Sequence, residues 1–178
     1  MRNMTKEEIL MFGMNWGNEG NRQRIMDGGM VGKESVTPVE AQAILDTLTK
    51  KDLDFIQGVL DHVGSKKAEI AAQEKRLTGV EPQWIEAAPI VTKNGTIPGG
   101  YFPAKYDVVL STRSESLDAA NDLRMSMKGA FHNATTRKSY TQKRAEKVEG
   151  RPIWLNFDTI SRHMAEVNHR LSWQDWIV

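Results

Sequence analysis

The chain contains no cysteine, which excludes a disulfide framework, thiolate zinc ligation and cysteine nucleophiles together. It also lacks any apolar run approaching the roughly 18 to 20 residues that span a bilayer. Its apolar N-terminal patch, around Ile9 to Trp16, follows Glu7 and Glu8 and does not form the uninterrupted core of a signal peptide. Charge of one sign is missing too: 24 Lys and Arg stand against 23 Asp and Glu, so attraction to DNA or to a membrane surface has to be local. What the chain does have is five Trp and nine Met. Large, soft side chains of this kind suit adaptable cores and contact surfaces. At 178 residues it is long enough to bury a core covering roughly two thirds of its unfolded surface without metal or disulfide support.

Helix starts are written clearly. Thr5-Lys6-Glu7-Glu8 has the spacing of a capping box, and the helix it opens ends near Trp16 at the polar turn Gly17-Asn18-Glu19-Gly20. Helical turns resume from Asn21 to Met26 and stop at Asp27-Gly28-Gly29. Thr37-Pro38-Val39-Glu40 combines a capping threonine, a proline at the first helical position and a glutamate at the third. Thr49 caps the following helix, where Leu53, Ile56, Gln57, Leu60 and Val63 recur at helical spacing. Ser65 caps or bends a continuation through Ile70 to Leu77, which Thr78-Gly79 ends. Pro82 then starts a short helix over Gln83 to Ala87.

At Ala88 the period changes. The β-branched run to Thr92, the Asn94-Gly95 turn and an irregular return over Tyr101 to Leu110 predict a small hairpin or clasp near residues 88–110. Beyond it, Ser114 to about Phe131 reads as helix and 152–157 as an extended run. Asp158 caps a C-terminal helix over 159–172 that leads into Trp173-Gln174-Asp175-Trp176. The predicted fold class is mainly α, an irregular helical domain with one small β-hairpin, organised as a single module over 1–178.

Each kind of site needs its own residues at its own spacing. A Walker-type phosphate cradle requires lysine and a hydroxyl residue after its second glycine, but Gly95 to Gly100 is followed by Tyr101 and Phe102. Gly99, Gly100 and Pro103 therefore read as a structural turn, with Tyr101, Phe102 and Tyr106 placed to plug the core. His62, His132, His163 and His169 lack the spacing of a helical zinc site, so no metal and no cofactor is expected. Neither a serine-nucleophile motif nor a defined carboxylate pair is present, which argues against an enzyme.

The basic segment 128–151 carries Lys128, Arg137, Lys138, Lys143, Arg144, Lys147 and Arg151 against only Glu146 and Glu149. Within it Arg137, Lys138, Lys143 and Arg144, with interleaved hydroxyl residues, form the candidate nucleic-acid contact. Trp173 and Trp176, near the end of the chain, are the candidate protein-interaction residues.

Three blocks carry a resemblance: MNWGNEGNRQRIMDG at 14–28, LTGVEPQWIEAAPIVTKNGTIPGGYFPAKYD at 77–107, and SYTQKRAE at 139–146 with RPIWLNFDTISRHMAEVNHRLSWQDWI at 151–177. Spread over residues 14–177, they make the chain resemble a module of the very large bacteriophage polyvalent proteins related to defence-against-restriction factors. The resemblance implies a mostly helical region among or downstream of enzymatic domains, in proteins held in the virion and delivered with the genome to the host cytoplasm. It implies partners among other domains or copies of phage structural and ejected proteins, with DNA as the alternative partner. It supplies no catalytic residue. Since 178 residues is a small piece of such a protein, the chain is expected to be either an excised domain or a short stand-alone version.

Overall fold

In the computed structural model of the chain, the residues described are 3–30, 35–82, 84–104 and 152–177. The predicted helix over Ser114 to Phe131, Tyr106 and the basic segment 128–151 lie outside them. The elements are α1 (Lys6–Trp16), α2 (Glu19–Gly28), α3 (Pro38–Leu45), α4 (Lys50–Gly64), α5 (Lys67–Thr78), β1 (Ile90–Thr92), β2 (Gly95–Ile97) and α6 (Asp158–Ile177). Among the described residues the fold is mainly helical with one small antiparallel hairpin, as the sequence pattern predicts.

Helix starts follow local chemistry. Thr5, Thr37 and Thr49 each cap a helix through the hydroxyl, and Glu8, Glu40 and Asp52 return a carboxylate to the capping backbone amide. Each reciprocal pair satisfies two otherwise orphaned donors, and losing the hydroxyl typically costs about 1 kcal/mol. Asn18 caps α2 without a reciprocal carboxylate, its side-chain oxygen accepting from the Asn21 amide. Hence α2 begins at Glu19, two residues before the expected start. Ser65 terminates α4 instead of starting α5, its hydroxyl donating to the His62 carbonyl at 2.7 Å.

Two apolar clusters fill the interior. The larger joins Met11, Phe12 and Met14 of α1 to Ile44, Leu45 and Leu48, to Leu53, Ile56 and Leu60 of α4, and to Ile90, Phe102, Ile153 and Leu155. Here Gly13 has a packing role: a Cβ on it would stand 2.6 Å from Ile56 Cδ1, so glycine lets α1 and α4 approach. The smaller cluster gathers Val63, Ile70, Tyr101 and Val167 where α5 and α6 meet. Residues 152–157 join the first cluster without forming a named strand. Ile153 makes a single parallel bridge to Met30, Phe157 donates its amide to Glu7 at 2.9 Å, and its ring meets Phe55 edge-on at 6.2 Å.

Three expectations are corrected. The segment from Trp84 to Pro89 is not helical. Pro89 disfavours the helical region at Ala88, and a single isolated turn does not offset its nucleation cost. The hairpin loop is Lys93-Asn94, one residue earlier than expected, because Gly95 pairs with Thr92 and Thr96 with Val91. The returning strand is consequently Gly95–Ile97, while residues 101–104 are not strand. Finally, α6 runs from Asp158 through Trp173 and Trp176 to Ile177. No glycine or proline interrupts that stretch to stop it.

Candidate functional site

The stretch from Ala88 to Ala104 crosses the corner where α1 turns into α2, and main-chain hydrogen bonds fix the crossing. The Gly17 carbonyl accepts from Ala88 N at 2.8 Å and from Gly100 N at 3.0 Å. Asn21 Nδ2 donates to the Phe102 carbonyl at 3.0 Å and to Asn15 Oδ1 at 3.1 Å, and Asn15 Nδ2 donates to the Met11 carbonyl at 2.9 Å. All three asparagines of this corner, Asn15, Asn18 and Asn21, are buried. The Asn18 side-chain nitrogen has no hydrogen-bond partner among the described residues.

Arg22 closes the same corner from outside. Its Nε donates to the Trp16 carbonyl at 2.6 Å, one terminal nitrogen donates to the Pro89 carbonyl at 2.5 Å, and the guanidinium lies 5.5 Å from the centre of the Trp16 ring. Burial lowers its pKa, which the Glu19 carboxylate partly opposes. An arginine committed to two carbonyls and an indole face is holding chain segments together.

From α4, Gln57 reads the turn itself. Gly99 N donates to Gln57 Oε1 and Gln57 Nε2 donates to the Gly99 carbonyl. Gly99 adopts φ 78°, and a Cβ there would lie 2.1 Å from the Ala88 carbonyl oxygen. Gly100 passes close to Leu60, and Pro103 is buried between Phe102 and Ala104. Tyr101 and Phe102 point into the two different apolar clusters. The region therefore bridges the two parts of the core, and the amides of Asn21 and Gln57 are spent on chain crossings.

The second polar concentration is the seam between α5 and α6. Arg170 and Glu74 form a buried ion pair, with side chains 4% and 10% exposed. Gln73 Nε2 donates to the Leu171 carbonyl at 3.2 Å, and the buried His163 ring lies 5.7 Å from the Tyr101 ring. Just beyond, Trp173 is 55% exposed, its ring 6.2 Å from His169. Trp176 lies on the same helix.

These positions can be compared with the candidates read from sequence. Gly99, Gly100 and Pro103 sit together at the crossing, whereas Trp173 lies away from it at the far end of α6. Arg137, Lys138, Lys143 and Arg144 fall outside the described residues. His62 is exposed on α4, His163 is buried and His169 is exposed on α6, so they do not converge. Among the described residues no group of His, Asp and Glu could hold a metal ion, and no helix is long and apolar enough to cross a membrane. Sequence reading missed the Gln57–Gly99 pairing and the Glu74–Arg170 pair, since no local pattern announces a partner so far along the chain. No family model, curated protein or solved structure matches the chain.

Proposed function

We propose that this chain is a non-enzymatic structural or interaction module of a bacteriophage virion or ejected protein, of the kind concerned with genome delivery and antirestriction. The observation that carries the reading is the exposure of Trp173 on α6, a helix tied to α5 by the buried Glu74–Arg170 pair. An indole left in solvent gains free energy when a neighbouring surface covers it. The polar side chains of the chain-crossing corner support the same reading, because Asn15, Asn21, Arg22 and Gln57 are engaged with main-chain carbonyls. Its partners are other domains or copies of phage structural and ejected proteins, and its place is the virion, from which it enters the host cytoplasm.

The test is sedimentation of the purified chain over a concentration series, together with its retention on purified virion structural proteins. Association that weakens in Trp173→Ala is the expected result. A monomer at every concentration that no virion protein retains would overturn the proposal.

A DNA-binding accessory role is the second reading, favoured by the excess of cations between Lys128 and Arg151. It requires a duplex-DNA affinity that falls steeply with salt and weakens when Arg137, Lys138, Lys143 and Arg144 become alanine. Absence of a gel shift at low salt, or a shift insensitive to salt, removes it.

A further inference from the structure

Asn94 is the only asparagine in the chain followed by glycine. In an asparagine-glycine pair no side chain shields the following amide nitrogen, the nucleophile that attacks the asparagine side-chain carbonyl carbon. Both residues are exposed at the hairpin tip, and Gly95 holds φ 149°, a conformation rarely adopted by residues with a side chain. Every other asparagine precedes a residue that carries a side chain, and Asn15, Asn18 and Asn21 are buried besides.

The tip is also one of the ties, beside the Gln42 bond to the Val91 carbonyl, that hold the hairpin to α3 and the turn between α3 and α4. Asn94 Nδ2 donates to the Leu48 carbonyl at 2.7 Å, Lys93 N donates to Asp46 Oδ1 at 2.8 Å, and Asn94 N donates to Thr92 Oγ1 at 3.2 Å. The side-chain nitrogen that grips Leu48 is therefore the one that would leave.

We propose that Asn94 is a site of spontaneous deamidation and that its conversion releases the hairpin from the α3–α4 turn. Gly95 N bonds to Asn94 Cγ, the Cγ–Nδ2 bond breaks, and Nδ2 departs as ammonia with the proton from the Gly95 amide, leaving a cyclic imide. Water then adds to one imide carbonyl. Opening at Cγ gives aspartate, and opening at the main-chain carbonyl gives isoaspartate, with the chain continuing through the side-chain carbon. Neither product can donate to the Leu48 carbonyl. The aspartate places a carboxylate against that oxygen, near Asp46, and the isoaspartate adds a backbone atom that breaks the Thr92–Gly95 register. For Cγ to reach Gly95 N the side chain must first leave Leu48, so local opening of the tip gates the reaction and the folded hairpin slows it.

The experiment is ageing of the intact native protein at mildly alkaline pH, followed by peptide mapping for the amide-to-acid mass gain and enzymatic labelling of isoaspartate. Asn94 is expected to convert ahead of every other asparagine. The converted fraction should show faster amide exchange across Lys93 to Ile97 and a thermal midpoint lower by a few degrees. Asn94→Asp should reproduce that lower midpoint without ageing. Persistence of the Asn94 amide while another asparagine converts, or until the protein unfolds, overturns the site. Conversion that leaves hairpin exchange and midpoint unchanged overturns the release.

Discussion

Gln57 and Gly99 hold each other through both halves of the side-chain amide: the Gly99 N–H donates to Oε1 at 3.0 Å, and Nε2 donates to the Gly99 carbonyl at 3.1 Å. A residue of α4 thereby imitates a strand neighbour for a turn that has none. The pairing meets the requirement that buried backbone groups find partners, at a place where neither helix nor sheet supplies them. The same turn leads directly into Tyr101 and Phe102, so its position fixes how the two apolar clusters meet.

Replacing Gln57 with leucine keeps much of the volume and removes both bonds to Gly99, together with a solvent-exposed bond from Nε2 to Asp61 Oδ1 at 2.8 Å that contributes little. Two net bonds of about 0.5–1.5 kcal/mol each predict a loss of about 1–3 kcal/mol. Gln57→Glu retains the acceptor for Gly99 N but sets a carboxylate oxygen against the Gly99 carbonyl, so it should recover little of the loss at neutral pH. Urea midpoints of the three proteins check this, and equal midpoints would show that the pairing contributes nothing.

Two glycines of the same chain should answer to alanine in opposite directions. At Gly99 the backbone has φ 78° and the new Cβ would meet the Ala88 carbonyl oxygen at 2.1 Å, so Gly99→Ala should cost more than about 3 kcal/mol. Gly58 lies exposed in the middle of α4 with nothing within 4 Å of its Cβ position, and Gly58→Ala should stabilise by about 0.5–1 kcal/mol. Thermal unfolding of the two variants beside the parent protein separates the cases.

What the sequence revealed divides by distance along the chain. The capping boxes at Thr5, Thr37 and Thr49 were legible because donor and acceptor lie three residues apart and the chemistry is local. The hairpin was legible from its β-branched residues and turn dipeptide, though its loop was displaced by one residue, since pairing register depends on what the strands pack against. Gln57 could be counted only as one position in the helical repeat of α4. Nothing beside it indicates Gly99, 42 residues on, and the same is true of Glu74 and Arg170, 96 residues apart. Exposure of Trp173 also depends on which face α6 buries. The basic residues proposed to contact DNA owe their candidacy to composition alone.

Acid should weaken the fold through two aspartates. Asp46 is held below its ordinary pKa of 3.8 chiefly by the Lys93 amide and then by the Gln42 side chain. At Asp52 partial burial pushes upward, but hydrogen bonds from Lys6 and from the Thr49 amide and hydroxyl together outweigh it, and its pKa too falls below 3.8. For a carboxylate lowered in the folded state, the stabilisation is fully present above the unfolded pKa and is lost as pH falls through the folded value. The loss therefore begins near the ordinary value and deepens below it. Asp46→Asn and Asp52→Asn should each flatten the dependence of the urea midpoint on pH between about pH 5 and pH 2. An unchanged slope in both variants would show that neither carboxylate contributes.

The Glu74–Arg170 pair makes α6 depend on α5 in a way that single and double substitutions can separate. Both side chains are almost fully withdrawn from water, so each charge relies on the other to offset its desolvation. Arg170 Nε has no hydrogen-bond partner among the described residues, which leaves its guanidinium more reliant on Glu74. Glu74→Gln keeps the shape but leaves the arginine charge buried opposite a neutral amide, and a loss of about 3–5 kcal/mol is expected. Glu74→Leu with Arg170→Met removes both charges and should recover most of that loss, since apolar side chains of similar volume often replace a buried pair at little cost. The readout that assigns the effect to α6 is amide exchange. In Glu74→Gln, protection should fall along Asp158 to Ile177 more than along α1, and in the double variant it should return. A uniform loss of protection across the chain would mean that the pair stabilises the whole fold without specifically docking the helix that carries Trp173.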